Sequence, residues 1–173
     1  MIRPSVRGFE KIIRCLIYIF LGASFSQGAG VEHVKLSPAS EMMRAELFIW
    51  VPETVVKAVI IFCPGHNGVG RSFVENAQWQ AFARKHDLAL CGLSFASDYD
   101  LTRQGKGYSH VERGSGKLLL DALDGVFKGG KLPLFLYGYP LMENTVVKES
   151  ERNGTKLSGI ARSFGFPFRP WFR

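Results

Sequence analysis

The apolar positions of this chain fall into short, evenly spaced runs. Ala45-Glu-Leu-Phe-Ile-Trp-Val51 reads as a strand closed by Pro52-Glu53, and Lys57-Ala-Val-Ile-Ile-Phe-Cys63 as a second. The second run is almost wholly apolar, the pattern of a strand covered on both faces. Leu88-Ala-Leu-Cys-Gly-Leu-Ser-Phe95 and Leu132-Pro-Leu-Phe-Leu-Tyr137 supply a third and a fourth. Between them the period changes from 2 to 3.6. Val74, Ala77, Phe82 and Ala83, with Trp79, form a helical stripe over 74–85. Leu118, Leu119, Ala122, Leu123, Val126 and Phe127 form another, with Ser115 placed to cap it and Gly129-Gly130 to stop it. Short apolar strands alternating with amphipathic helices predict a three-layer α/β fold, its mostly parallel sheet built of βαβ crossovers. Periodicity fails at Pro140. Residues 140–173, polar at first and then mixing aromatics with proline and arginine, are expected to form an irregular tail.

Charge changes the picture less than its total suggests. The 173 residues carry a formal net charge of +7, which alone would hint at nucleic acid. Arg3, Arg7, Lys11 and Arg14 face only Glu10 at one end, and six Lys/Arg face Glu149 and Glu151 at the other. The middle, 31–147, has twelve of each sign and no basic field to gather phosphates, so a nucleic-acid partner is not expected. The first basic cluster precedes the apolar run Cys15–Phe25 and the small residues Ser26-Gln-Gly-Ala-Gly30. That order is a secretory signal peptide, and an apolar stretch of about eleven residues falls short of the roughly twenty a spanning helix needs. Residues 1–30 are therefore expected to be cleaved within 26–30, giving a secreted or periplasmic protein with no stable membrane span; the alternative is an uncleaved anchor. Cys63 and Cys91 lie in apolar strands and read as buried thiols, although an exported protein could pair them. No Cys/His spacing implies a metal, and no cofactor is expected.

The chemistry concentrates in Pro64-Gly-His-Asn-Gly-Val-Gly-Arg-Ser72, a glycine-rich loop between a buried strand and a helix. Backbone N–H groups there can stabilise an oxyanion or cradle phosphates. Gly65 to Ser72 matches the P-loop spacing with Arg71 in place of lysine, but a guanidinium is no equivalent of that compact charge. Asp98 is the nearest candidate for magnesium. A P-loop-like nucleotide binder at 65–72 is thus the remote alternative.

Taken with Trp79-Gln-Ala-Phe-Ala83, the strand 88–95, Gly114-Ser-Gly-Lys-Leu-Leu-Leu-Asp-Ala-Leu123 and Pro133-Leu-Phe-Leu-Tyr-Gly138, this loop resembles exported bacterial α/β-hydrolases of the esterase and dienelactone-hydrolase type. The likeness covers roughly residues 45–139. It implies that His66 or Asn67 supplies an oxyanion-hole N–H, that 134–138 leads into the nucleophile elbow, and that the family's substrates are small acyl esters. At the elbow the chain departs from the pattern. The family's G-x-S-x-G becomes Gly138-Tyr139-Pro140-Leu141-Met142, with proline at the serine position. His33, His66, His86 and His110 all precede the elbow, so none matches the expected base.

Two readings of the tail stand open. Restoring one lost base before Pro140 recovers a serine, with a glycine three positions on, so 140–173 would be out-of-frame; otherwise it is a genuine, divergent C-terminus. On either reading the chain is expected to hold only the first part of the hydrolase domain, truncated after 139, and to lack nucleophile, acid and base. It is then inactive as an ester hydrolase, the alternative being a non-catalytic exported ligand-binding module. Should a nucleophile exist, Ser72, Ser94, Ser97, Ser109 and Ser115 are the candidates. A further expectation is that Leu134–Tyr137 forms an open, aggregation-prone sheet edge.

Overall fold

β3 (Ala58–Cys63) is the axis of the fold: all six of its residues are buried. In the computed structural model, which describes residues 30–38, 41–110, 113–138 and 140–162, parallel strands flank β3 on both sides. The expected signal segment, except Gly30, lies outside the described residues, as do Tyr139 and residues 163–173. The remaining strands are β1 (Glu32–Lys35), β2 (Met42–Trp50), β4 (Leu88–Ser97), β5 (Leu134–Gly138) and β6 (Leu157–Arg162). Their order in the single sheet is β1-β2-β4-β3-β5-β6. The pairs around β3, and β5 with β6, are parallel; β2 runs antiparallel to both β1 and β4.

Side-chain alternation sends the two faces of this sheet into two cores. Val59, Ile61 and Cys63 join Ala89, Cys91 and Leu93 under α4 (Ser115–Val126), which contributes Leu119, Leu120 and Leu123. Ile60 and Phe62 join Phe48, Trp50 and Leu90 on the other face, under the short α1 (Arg71–Val74) and α2 (Ala77–His86). Burying Ile61 or Phe62 fully is worth about 1.5–3 kcal/mol each. α2 starts later than its apolar stripe suggested because Asn76 caps it, its side chain accepting from the N–H groups of Gln78 and Trp79. Val74 belongs to α1 instead. Cys63 and Cys91 are free thiols in the first core, and burial pushes the Cys91 thiol far above its usual range, with Cys63 adding to the effect.

The largest departure from expectation begins at Pro140. A helix, α5 (Pro140–Asn153), and β6 occupy a stretch for which neither was predicted. Proline suits the first turn of a helix, where its missing N–H has no partner to lose. Val146 is fully buried in the core beneath α4. One turn on, at the next core-facing position, stands Ser150, also buried; its hydroxyl donates to the Val147 carbonyl at 2.7 Å. A polar residue satisfied in this way interrupts the apolar stripe without interrupting the helix. Gly154, at φ +70°, ends it in the left-handed conformation. The chain then returns as β6 alongside β5, from Leu134↔Leu157 to Gly138↔Arg162. The expected open edge at 134–137 is therefore paired, and the fold continues past 139 rather than stopping there. Tyr137 is covered by Phe62, Phe73 and Trp79. Phe135 remains exposed.

One close approach welds the glycine loop to the sheet. The Gly70 N–H donates to the Leu93 carbonyl at 2.7 Å, and a Cβ on Gly92 would stand 2.3 Å from the Gly70 oxygen. Backbone lies on both sides of that contact, so neither partner can yield. Gly92→Ala should cost about 3 kcal/mol, the upper part of the range for overpacking, read as a lower urea midpoint at unchanged slope. The Cys91 thiol makes a second prediction. Its pKa is raised by folding, so its contribution is intact below the usual thiol value of about 8.5 and is lost as pH rises beyond it. Thermal midpoints should be flat from pH 7 to 8 and fall above 9, and Cys91→Ala should remove the thiol's share of that fall.

Candidate active site

Loop 64–70, segment 98–110 and Gly138 lie at the C-terminal ends of β3, β4 and β5, the end at which open α/β sheets bind ligands. Within the loop the Gly68 N–H donates to the Gly65 carbonyl at 2.8 Å, closing a four-residue turn around His66 and Asn67. Asn67 has φ +56°, whereas His66 is not among the positive-φ residues. That combination is a type II turn, which asks for glycine or asparagine at its third position.

Asn67 holds the turn with every polar group it has. Its N–H donates to the Tyr108 hydroxyl at 3.0 Å, and its carbonyl accepts from Arg44 Nη2 at 2.7 Å. Its side-chain Nδ2 donates to the Ser97 carbonyl at 3.0 Å, and its Oδ1 accepts from the Ser97 N–H at 3.1 Å. The amide thus pairs with the last residue of β4 as a further strand would. Arg44 Nη2 also reaches the Gly68 carbonyl at 3.3 Å. Tyr108 is buried against Phe95 and is fixed through its own backbone. Its N–H donates to Ser97 Oγ, and its carbonyl accepts from Ser115 Oγ. Ser115 therefore does not cap α4; the cap position is Gly114, at φ +78° and without a side-chain bond. Burial pushes the Tyr108 phenol above its ordinary pKa, while the Asn67 N–H and the nearby Arg44 pull it partway back.

These contacts divide the two expected oxyanion donors. The Asn67 N–H is turned inward to Tyr108, while the His66 N–H takes no part in the network. The His66 ring is exposed beside Tyr99 and Tyr108, with Nε2 at 3.4 Å from Thr102 Oγ1. The phosphate-cradle alternative fares worse. Loop N–H groups at 67, 68 and 70 are given to protein acceptors, Arg71 pairs with Glu75 at 2.7 Å, and Asp98 caps α3 (Tyr99–Arg103).

Gly138 lies level with Cys63 at φ +143°, and a Cβ there would sit 2.0 Å from the Cys63 oxygen. β5 ends at Gly138 and α5 begins at Pro140; Tyr139, expected in the elbow, lies outside the described residues. Among the described residues, the candidate serines Ser72, Ser94, Ser97 and Ser115 make no hydrogen bond to a histidine or carboxylate. Ser72 is exposed on α1, Ser94 is fully buried, and Ser97 and Ser115 are engaged with Tyr108. Ser109 has a partner of its own. His33 meets Glu46 and stacks on Phe48, His86 packs on Phe82, and His110 approaches the Thr102 carbonyl. Sequence reasoning missed Arg44 and Tyr108. Arg44 stands just before the strand expected at 45–51 and carries no signal; an aromatic in the polar, glycine-rich segment 98–114 was the one hint of Tyr108. A cavity of about 10 Å³, room for a single water, lies at the opposite end of the sheet among Val59, Leu123, Asp124 and Leu134.

No protein-family model and no curated protein matches this sequence. Solved structures do match in fold. A bacterial heroin esterase superposes with a TM-score of 0.54 at 14% identity, over 88% of this chain and 50% of that one. An S-formylglutathione hydrolase from Agrobacterium tumefaciens gives 0.51 at 14% identity, over 78% of this chain and 58% of that one. A thermostable carboxyl esterase from Bacillus coagulans gives 0.50 at 11%, over 78% and 44%. The architecture is that of the α/β-hydrolase fold, and this chain spans about half the length of these structures.

Asn67→Ala removes both bonds to Ser97 and leaves a non-glycine residue without its amide in the left-handed region. The loss expected is about 2–4 kcal/mol, from two hydrogen bonds and the backbone groups they satisfied. Urea unfolding measures it, and Asn67→Gly should lose less because glycine accepts that φ freely.

Proposed function

We propose that this chain descends from an exported serine hydrolase acting on small acyl esters, and that it retains the oxyanion loop and elbow strand without the nucleophile. The register Cys63↔Gly138 carries this reading, because it sets the start of the glycine loop level with the end of β5, two residues before Pro140 at the serine position. An ester carbonyl lying between the two would accept from the His66 N–H, a preorganised donor at the strand end. No acyl-enzyme can follow. Acylation needs an activated nucleophile, and Pro140 offers neither hydroxyl nor thiol. α5 and β6, built from residues beyond the elbow, support reading 140–162 as a genuine part of the domain.

The second reading, a ligand-binding module, is favoured by the mouth of the same cleft. His66 and Tyr99 are exposed there, with Arg103 lying over the Tyr99 ring at 5.7 Å.

Purified protein should hydrolyse p-nitrophenyl acetate no faster than a matched control and should resist a serine-directed fluorophosphonate. Butyrate, as a product analogue, should shift the amide resonances of His66 and Gly138. Stoichiometric labelling of any serine would overturn the claim of a missing nucleophile. Shifts confined to the other end of the sheet would overturn the site.

A further inference from the structure

The orientation of one peptide decides what the glycine loop offers a ligand. The Asn67 N–H and the His66 carbonyl belong to the same trans peptide, so they point in opposite directions. With the N–H on the Tyr108 hydroxyl, the His66 carbonyl faces the other way. That peptide is the central one of the turn closed by Gly68 and Gly65, and types II and I differ by a half-rotation of it. Rotation would bring Asn67 out of its left-handed φ of +56°. The bonds of the Asn67 carbonyl to Arg44 and of its side chain to Ser97 would survive, since neither involves the rotating peptide.

We propose that Tyr108 is the positioning residue for this loop, selecting between two orientations of the His66–Asn67 peptide. A phenol can accept and donate. In the orientation observed it accepts from the Asn67 N–H. In the rotated one it donates its O–H to the His66 carbonyl, and the Asn67 N–H is released as a second donor for a ligand oxygen. Only the phenol tip shifts to make room for the carbonyl oxygen, while Tyr108 stays held at its backbone by Ser97 and Ser115. Arg44 and Ser97 keep the rest of the turn in place, so the change is confined to one peptide. The ligand class is an acyl oxygen or carboxylate, and in that respect the inference rests on the oxyanion-loop reading.

The test is amide exchange and chemical shift in the 15N-labelled full chain and in Tyr108→Phe, with sodium butyrate as the probe. In the unsubstituted chain the Asn67 amide proton should show a cross-relaxation peak to the Tyr108 ring; its absence overturns the proposal whether or not the variant folds. Tyr108→Phe removes both of the hydroxyl's roles. Asn67 exchange should rise about fivefold or more, the equivalent of one lost neutral hydrogen bond. A crystal structure of the variant should show Asn67 at negative φ, and butyrate should shift the amides of both residues 66 and 67. An Asn67 amide with unchanged exchange and φ near its present value would overturn the positioning role. If the peptide turns but butyrate shifts neither amide, Tyr108 still positions the turn, and it is the oxyanion reading that fails.

Discussion

β3 has no free surface: strands lie on both of its edges and helices on both of its faces. Everything else in the domain is arranged around that constraint. A strand paired on both sides must deliver the chain at its end into a loop whose backbone groups have no ladder to join, and buried polar groups without partners are costly. The domain meets this cost with side chains and close contacts. Asn67 substitutes for a strand against Ser97, Arg44 and Tyr108 take the loop's carbonyl and N–H, and Gly70 lies directly on the backbone of β4 at Gly92. The glycines of this loop serve contact and turn geometry.

The same device holds the loop in place at the end of the sheet. The loop is held from behind by residues of three elements, β2, β4 and the segment before α4. Such support is what an electrostatic site requires, since donors that need no reorganisation are the effective ones. Across from it Gly138 passes the Cys63 carbonyl so closely that only glycine fits, which is how a chain turns sharply from strand into helix. On the proposed reading scaffold and reagent are separable: β5 still leads into a helix at Pro140, where the chemistry would need serine.

The apolar runs of β2, β3, β4 and β5, the stripe of α4 and the glycine loop between β3 and α1 were legible because burial on a fixed period leaves a mark in sequence. The α/β class followed from their alternation; the expectation that the elbow lacks its serine rested on Pro140 alone. Other elements left no such mark. β1 is a short, exposed edge strand whose partners are all on β2, and β6 sits at the opposite edge beside β5. α5 hides its core face behind a serine that bonds to its own helix. Pairing and back-bonding of this kind are non-local or self-contained, and neither produces hydrophobic periodicity. The orientation of the Asn67 N–H was equally beyond reach, because it depends on Tyr108, forty-one positions along the chain. Sequence determined which residues could form a strand, a helix or a donor-rich loop; only the tertiary structure decided which way each donor points, because that is settled by acceptors brought in from distant segments.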